Sequence, residues 1–453
     1  MAQTQRFNHF DREMQGWGLL ALSALAVAGV LALGVAGSRT PGIQDGLPEN
    51  FFQSMLVTHV TFSVSVWYLA VFGALCAWVA SRRVAGGWLV PGAYLGAIGL
   101  RLAWGGFLCL LAPAMMGWGE PSLNNYIPVM VHPVFYSGLG LLFLGVALPV
   151  FRLGFVGIDD RDGVGMVLAA AGGVYFCALL SVGLAWSAAP AQDPIPYNEM
   201  LFWGGGHLLQ FVNTLLMLAA WQAAGSAIYG QPPIPPVLLR WLALSVLVTG
   251  FAGPALYLIF PVTSGTLHSG FTRLYQIGLI LQPVIALLAL ARFQIRAGWA
   301  RYGAGAVGLT LSALMFTLGG AMGYLVGEGD TRTPAHYHLM IGAVTLAFMV
   351  LFFLVILPRL GRATTRGRAV LTAFALYAGG QTLHALALFG AGVLGIARKT
   401  AGASQGLDSP LKTIVMGVMG GGALLAVIGG VLFVGLAGWK LLVAPRKGSA
   451  PAN

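Results

Sequence analysis

Apolar runs of about 20 or more residues recur along the whole of this chain, each long enough to cross a hydrocarbon layer roughly 30 Å thick. The chain has 453 residues, of which 58% are hydrophobic and 8% charged. A soluble domain carries roughly 25% charged residues, so these runs cannot be the packed helices of a water-soluble protein. They predict an all-α integral membrane protein of twelve transmembrane helices. The spans fall near 15–37, 51–80, 88–115, 128–151, 164–188, 197–224, 237–260, 270–292, 303–326, 336–357, 369–396 and 412–437. Connections are short and no linker or soluble insertion interrupts them, which predicts one polytopic domain over 1–453. Residues 1–14 and 438–453 read as cytoplasmic tails, and the opening "MAQTQRFNHFDREMQGWG" is too polar for a cleavable signal.

Charge placement supports this count. With the N-terminus inside, 17 of the 24 Lys and Arg fall in inner segments, six in outer ones, and Arg101 within a span. That alternation is what the positive-inside rule expects. The +11 net charge is then a matter of topology, with the lipid bilayer as partner and no nucleic acid implied. Cys76, Cys109 and Cys177 all lie within spans and form no CxxC, so they read as small core residues. The 65 glycines suit either close helix packing in lipid or space for flat prosthetic groups.

Histidine is the informative polar residue. His9 lies in the N-terminal tail. His59, His132, His207, His268, His336, His338 and His384 all fall in the outer half of a span or in the adjoining loop. Singly, each reads as readily as a helix–helix hydrogen bond. Collectively, the bias is better explained by a layer of metal centres near the outer face. Only 13 Asp and Glu exist, nearly all in loops, too few for a carboxylate-bridged or hard-cation site. Imidazole-only ligation suits haem iron, copper or zinc. His336 and His338 stand two residues apart, so on a helix they point about 200° from each other. They cannot easily chelate one ion. Two readings remain: separate sites on opposite sides of one helix, or two interfacial residues.

The segment "FTLGGAMGYLVGEGDTRTPAHYHLMIGAV" (316–344) resembles the ninth and tenth helices of subunit I of the haem–copper oxidase superfamily. "FFQSMLVTHVTFSVSVW" (51–67), "LFWGGGHLLQFVNT" (201–214) and "QTLHALALFGAGVLGIARKTAG" (381–402) resemble that family's second, sixth and eleventh helices. The resemblance covers nearly the whole chain and implies two haems and a copper. His59 and His338 would be axial ligands of a low-spin haem, and His336 the one protein ligand of a high-spin haem whose other face is open to a gas. His207 would bind the copper facing it. Arg398 and Lys399 would hold haem propionates through charge-assisted hydrogen bonds, with Lys399 in place of the usual second arginine. His132 would bond a propionate or a loop carbonyl.

The sequence departs from the family on the copper side. The adjacent histidine pair of the seventh helix is missing from "GFAGPALYLIFPVTSGTLHSGFTRLYQ" (250–276), leaving His268 as the possible second copper ligand. The cross-linking tyrosine of the sixth helix is Phe211, no glutamate stands nearby, and Tyr257 or Tyr275 would have to substitute. Arg101 is the one intramembrane ion expected, and no carboxylate is expected on inner helix halves. Protons would then enter from the outer side, where Asp193, Glu199, Glu328 and Asp330 lie. The function implied is a respiratory terminal oxidase subunit of a bacterial inner membrane, moving electrons from the low-spin to the high-spin haem to reduce dioxygen. Alternatives are nitric oxide chemistry, a copper-less haem relay or sensor, and a transporter of another fold. No CxxxC copper domain or CxxCH haem site occurs, so electrons from cytochrome c or quinol would arrive through partner oxidase subunits.

Overall fold

In lipid each backbone N–H must find an acceptor within its own segment, so apolar runs of this length become helices. A computed structural model describes residues 9–43, 51–87, 89–156, 161–298, 303–327, 329–362 and 367–443. Its helices are α1 (His9–Gly37), α2 (Phe51–Ala85), α3 (Ala93–Met116), α4 (Pro133–Val156), α5 (Val164–Ala188), α6 (Pro194–Tyr229) and α7 (Pro236–Ile259). There follow α8 (Gly265–Gly278), α9 (Leu281–Ala297), α10 (Gly303–Gly323), α11 (Arg332–Arg359), α12 (Arg368–Val393) and α13 (Pro410–Leu442). Among the described residues, eleven helical segments are long and apolar enough to cross a membrane, with α8 and α9 forming one of them. The chain is therefore an all-α multi-pass membrane protein. The expected span at 369–396 coincides with α12, which is not among the eleven. Its 26 residues include Gly379, Gly380, Gln381, Thr382 and His384, which lower its hydropathy.

Two helices contain a π-helical turn, Thr61–Val66 in α2 and Phe352–Ile356 in α11. The first begins two residues beyond His59, and such turns are frequent at functional sites. A hairpin joins α3 to α4: β1 (Glu120–Ser122) pairs antiparallel with β2 (Val129–Val131), Pro121 opposite Met130. The core is closed by aromatic contacts, with Trp67 stacked on Phe352 at 5.7 Å and edge-on to Phe348 at 5.9 Å.

The start of α1 corrects one expectation. Helix begins at His9, six residues before the expected boundary, and Phe10, Asp11, Glu13 and Met14 of its first two turns are buried rather than forming a tail. Glu13 accepts two hydrogen bonds from Arg152 of α4, at 2.7 and 2.8 Å, and both residues are almost wholly inaccessible. Asp11 accepts from Ser81 Oγ at 2.5 Å and from Arg359 Nε at 3.0 Å. The bundle thus holds buried ions at this end that the sequence did not predict, whereas Arg101 lies exposed on α3. Charges survive burial when paired in this bidentate way. They also staple α1 to α2, α4 and α11. Gln15 donates to Leu441 O at 2.6 Å, placing the start of α1 beside the end of α13.

At the opposite end, the segment after α12 is tied down by backbone. Arg398 N donates to Gly329 O at 2.9 Å, Thr331 N to Ile396 O at 3.1 Å, and Gly402 N to Ser38 O at 3.3 Å. Lys399 adopts a left-handed φ of 60°, the only non-glycine residue among those described to do so. That conformation is unfavourable for a lysine. It turns the chain so that Arg398 and Lys399 both border the interior space described next.

Candidate functional site

A cavity of about 1220 Å³ opens between the helices at this end of the bundle. It exceeds the roughly 300–1,000 Å³ typical of sites that take one small organic ligand. Five histidines line it: His59, His207, His336, His338 and His384. So do three cations, Arg39, Arg398 and Lys399. Among the described residues no Asp or Glu borders it.

Each imidazole is oriented by a neighbouring helix. His59 Nδ1 lies 2.9 Å from Ala28 O of α1, His336 Nδ1 2.7 Å from Gly319 O of α10, and His384 Nδ1 2.9 Å from Met419 O of α13. A carbonyl can only accept, so in all three rings Nδ1 carries the proton and Nε2 keeps its lone pair. Anchoring one ring nitrogen on a carbonyl is how proteins present the other to a metal. The approach of α10 to His336 depends on Gly323, where a β-carbon would lie 2.9 Å from His336 Cε1.

The two histidines of the His-x-His pair separate as helical geometry requires. His336 turns toward α10, while His338 Nδ1 meets Gln381 Oε1 of α12 at 3.3 Å. His384, which the sequence left without a role, stands beside His338 with ring centroids 4.3 Å apart and planes at 66°. A metal between two opposed imidazoles, about 2.0 Å from each nitrogen, would set the centroids about 6 Å apart. His338 and His384 therefore sit side by side, not across a metal. His59 is within electrostatic reach of both.

The His207 end is built differently. His207 is 2% exposed, and its Nδ1 donates to Trp203 O at 2.8 Å. Its Nε2 then accepts from the Tyr126 hydroxyl, also at 2.8 Å. Both nitrogens are occupied. Tyr126 comes from the β1–β2 loop and packs on the His207 ring at 4.2 Å, an approach that Gly206 permits because a β-carbon there would strike the tyrosine. Burial raises the Tyr126 phenol well above its ordinary pKa, so it remains a proton donor. Trp203 contacts His207 at 4.9 Å and His268 at 4.8 Å, and His268 is not among the residues lining the cavity. Among the described residues, no three His, Cys, Asp or Glu side chains converge as a metal site. Tyr275 lines the cavity with its ring 6.5 Å from His207, whereas Tyr257 packs on Phe271 outside the lining. Phe211 is buried.

The expected basic pair borders the cavity as the sequence suggested. Lys399 Nζ donates to Leu123 O and sits 3.5 Å from Asn125 Oδ1. Burial, then the neighbouring Arg398 charge, lowers its pKa. Arg39 was not anticipated. It is 6% exposed, its Nη2 reaches Ala397 O at 3.4 Å, and its Nε has no partner. Burial alone lowers its pKa to about 10. Of the remaining expected residues, His132 stacks on Trp118 at 5.3 Å and accepts from Val134 N at 3.3 Å, a local cap on α4. Glu199 binds Asn125 through N at 2.9 Å and Nδ2 at 2.6 Å, and Asp330 pairs with Arg332 at 2.7 Å. Asp193 precedes α6, and Glu328 lies outside the described residues.

Comparison with known proteins adds relatives but no activity. No family model matches the chain. It is similar to an uncharacterized protein of Aquifex aeolicus (strain VF5), 29% identical over 76% of this chain and 86% of that protein. It is also similar to an uncharacterized protein of Rickettsia prowazekii (strain Madrid E), 24% identical over 95% of this chain and 96% of that one.

Proposed function

We propose that the chain is a haem-binding oxidoreductase of the terminal-oxidase type, the catalytic subunit that reduces dioxygen in a bacterial inner membrane. The observation that carries this reading is the lining of one large cavity by anchored imidazoles and by cations without carboxylates. Bare Nε2 atoms suit iron, and a cationic rim suits the carboxylate edge of a porphyrin. His59 with His338 would hold a low-spin haem, and His336 a high-spin one. When bound, such groups supply an electron carrier and an open iron position for a diatomic gas. The chain orients the imidazoles through Ala28, Gly319 and Gln381 and excludes water with an apolar wall. It also keeps a protonated phenol, Tyr126, beside His207 in the same cavity.

On this reading α12 is the twelfth crossing, since its 26 residues span about 39 Å as a helix. On the same reading the cavity would lie toward the outer face, which the excess of Lys and Arg at the other end supports. Electrons would come from cytochrome c or quinol through partner oxidase subunits.

A second reading, a copper-less haem relay or gas sensor, is favoured by one observation: Tyr126 and Trp203 O occupy both nitrogens of His207. Nitric oxide chemistry fits the same geometry. Metal analysis and reduced-minus-oxidised spectra of the purified protein test all of these. Two haems per chain are expected, and a protein purified without haem that also refuses added haem would sink every one of them. Copper lost on His207→Ala would support the oxidase over the relay. The carbon monoxide difference spectrum should vanish in His336→Ala and persist in His59→Ala, which instead loses the low-spin signal.

A further inference from the structure

We infer that Arg39 is an internal anion-binding residue, holding a carboxylate of the macrocycle ligated at His59 on the same rim as Arg398 and Lys399. This rests on the haem reading above. Arg39 is not part of the His-x-His, Gly-His or basic-pair motifs, and three observations single it out.

The first is its lack of compensation. Arg39 is only 6% exposed, yet Nε has no partner and Nη2 has only a long contact with Ala397 O at 3.4 Å. Elsewhere in this protein, Arg152 meets Glu13 and Arg359 meets Asp11, and Arg362, also buried with Nε and Nη1 unpaired, is not among the residues that line the cavity. Removing a buried guanidinium from water without an anion is costly, so an unpaired one that faces a cavity points to a partner from outside the chain.

Position is the second observation. Arg39 lines the same cavity as the five histidines and lies within electrostatic reach of His338 and His384. It follows the end of α1, and the carbonyl that orients His59 belongs to Ala28 of that helix. Eleven residues separate them, nine of these within α1 and two in the turn after it, which is about 16 Å at helical rise, part of which the arginine side chain covers. The remainder is a distance that a porphyrin-sized ring crosses and that a single metal ion or a diatomic gas does not.

The third is the anchoring of Arg39 to the basic loop. Arg39 Nη2 contacts the carbonyl of Ala397, next to Arg398, and Ser38 O accepts from Gly402 N. The end of α1 and the loop carrying Arg398 and Lys399 therefore form one rim with three cations. A guanidinium binds a carboxylate in bidentate fashion, which fixes the rotation of a flat ligand in its plane as well as its affinity.

The test uses the full chain, purified without haem and titrated with iron protoporphyrin IX or its dimethyl ester, which lacks the two anionic charges. Binding is read from the Soret band in wild type, Arg39→Gln and Arg39→Lys. Wild type should prefer the diacid, and Arg39→Gln should lose about tenfold of that preference, the size of one charge-assisted hydrogen bond. Arg39→Lys should keep most of it. Thermal unfolding of the haem-free chain gives an independent readout, because removing an uncompensated buried charge should raise the midpoint in Arg39→Gln. Equal preference in wild type and Arg39→Gln would overturn the assignment while leaving the haem reading intact, and would point to a lipid phosphate or free anion at Arg39. A lowered midpoint in haem-free Arg39→Gln would show a purely structural arginine. Failure of wild type to bind either porphyrin would overturn the haem reading itself.

Discussion

Arg152 and Arg359 at one end of the helix bundle and Arg39 at the other are buried against different surroundings. Where α1 begins, Arg152 and Arg359 are each matched to a carboxylate on α1, Glu13 at 2.7 Å and Asp11 at 3.0 Å. Where α1 ends, Arg39, Arg398 and Lys399 border a cavity that no described carboxylate lines. The first arrangement is finished: its charges cancel, and its consequence is to hold α1 against α2, α4 and α11. The second is different in kind, because its cations and imidazoles face a cavity that no described carboxylate lines. A compensated buried charge indicates architecture, and an uncompensated one facing a cavity indicates a ligand.

Breaking the compensated end should cost most. Glu13→Ala strands Arg152 in the interior and is expected to destabilise the protein by about 3–5 kcal/mol. Thermal unfolding in detergent measures this, and the double substitution Glu13→Leu with Arg152→Met should recover most of the loss. If Glu13→Ala destabilised no more than Arg39→Gln, the contrast between the ends would collapse. A smaller effect is expected inside the cavity. Tyr126→Phe keeps the ring on His207 but removes one hydrogen bond, costing about 0.5–1.5 kcal/mol. It also frees His207 Nε2, so copper uptake by equilibrium dialysis should rise in Tyr126→Phe if the phenol is what blocks that nitrogen. The smallest effect is at the rim. The Arg332 guanidinium holds the Asp330 carboxyl below its usual range. A lowered folded pKa means the pair stabilises above the unfolded value of about 4 and is lost as pH falls through the folded one. The rim tied by the Asp330–Ala397 bridge should therefore loosen slightly below pH 4, seen as faster amide exchange at 396–398, and Asp330→Asn should abolish that pH dependence.

The divergence of the His-x-His pair was legible from sequence because it follows from local periodicity. Two residues apart on a helix must face different neighbours, and His336 and His338 do, one toward Gly319 and the other toward Gln381. The lack of an adjacent histidine pair in 250–276 was legible too, since it is a local feature. What could not be read were partners distant in sequence. Tyr126 reaches His207 across 81 positions from a short hairpin whose residues carry no motif. His384 gains meaning only because α12 stands against α11 and puts its ring beside His338. Glu13 and Asp11 looked like tail residues because hydropathy averages over a window and cannot see a matching arginine 139 or 348 positions away.

The sequence by itself determined that this is a multi-pass helical membrane protein, and it led to the expectation of seven of its eight histidines in one half of its helices and its basic residues mostly in the other. Those properties are set by length, hydropathy and helical phase, which act within a single segment. Tertiary structure decided which polar groups meet. It occupied both nitrogens of His207, left His59, His336 and His384 each with a free nitrogen, and placed Arg39 against a cavity without a counter-charge. Pairing depends on how helices pack, and close approach in lipid is governed by small residues and shape that no one segment specifies alone. The same residue types therefore became a staple at one end of the bundle and an open site at the other.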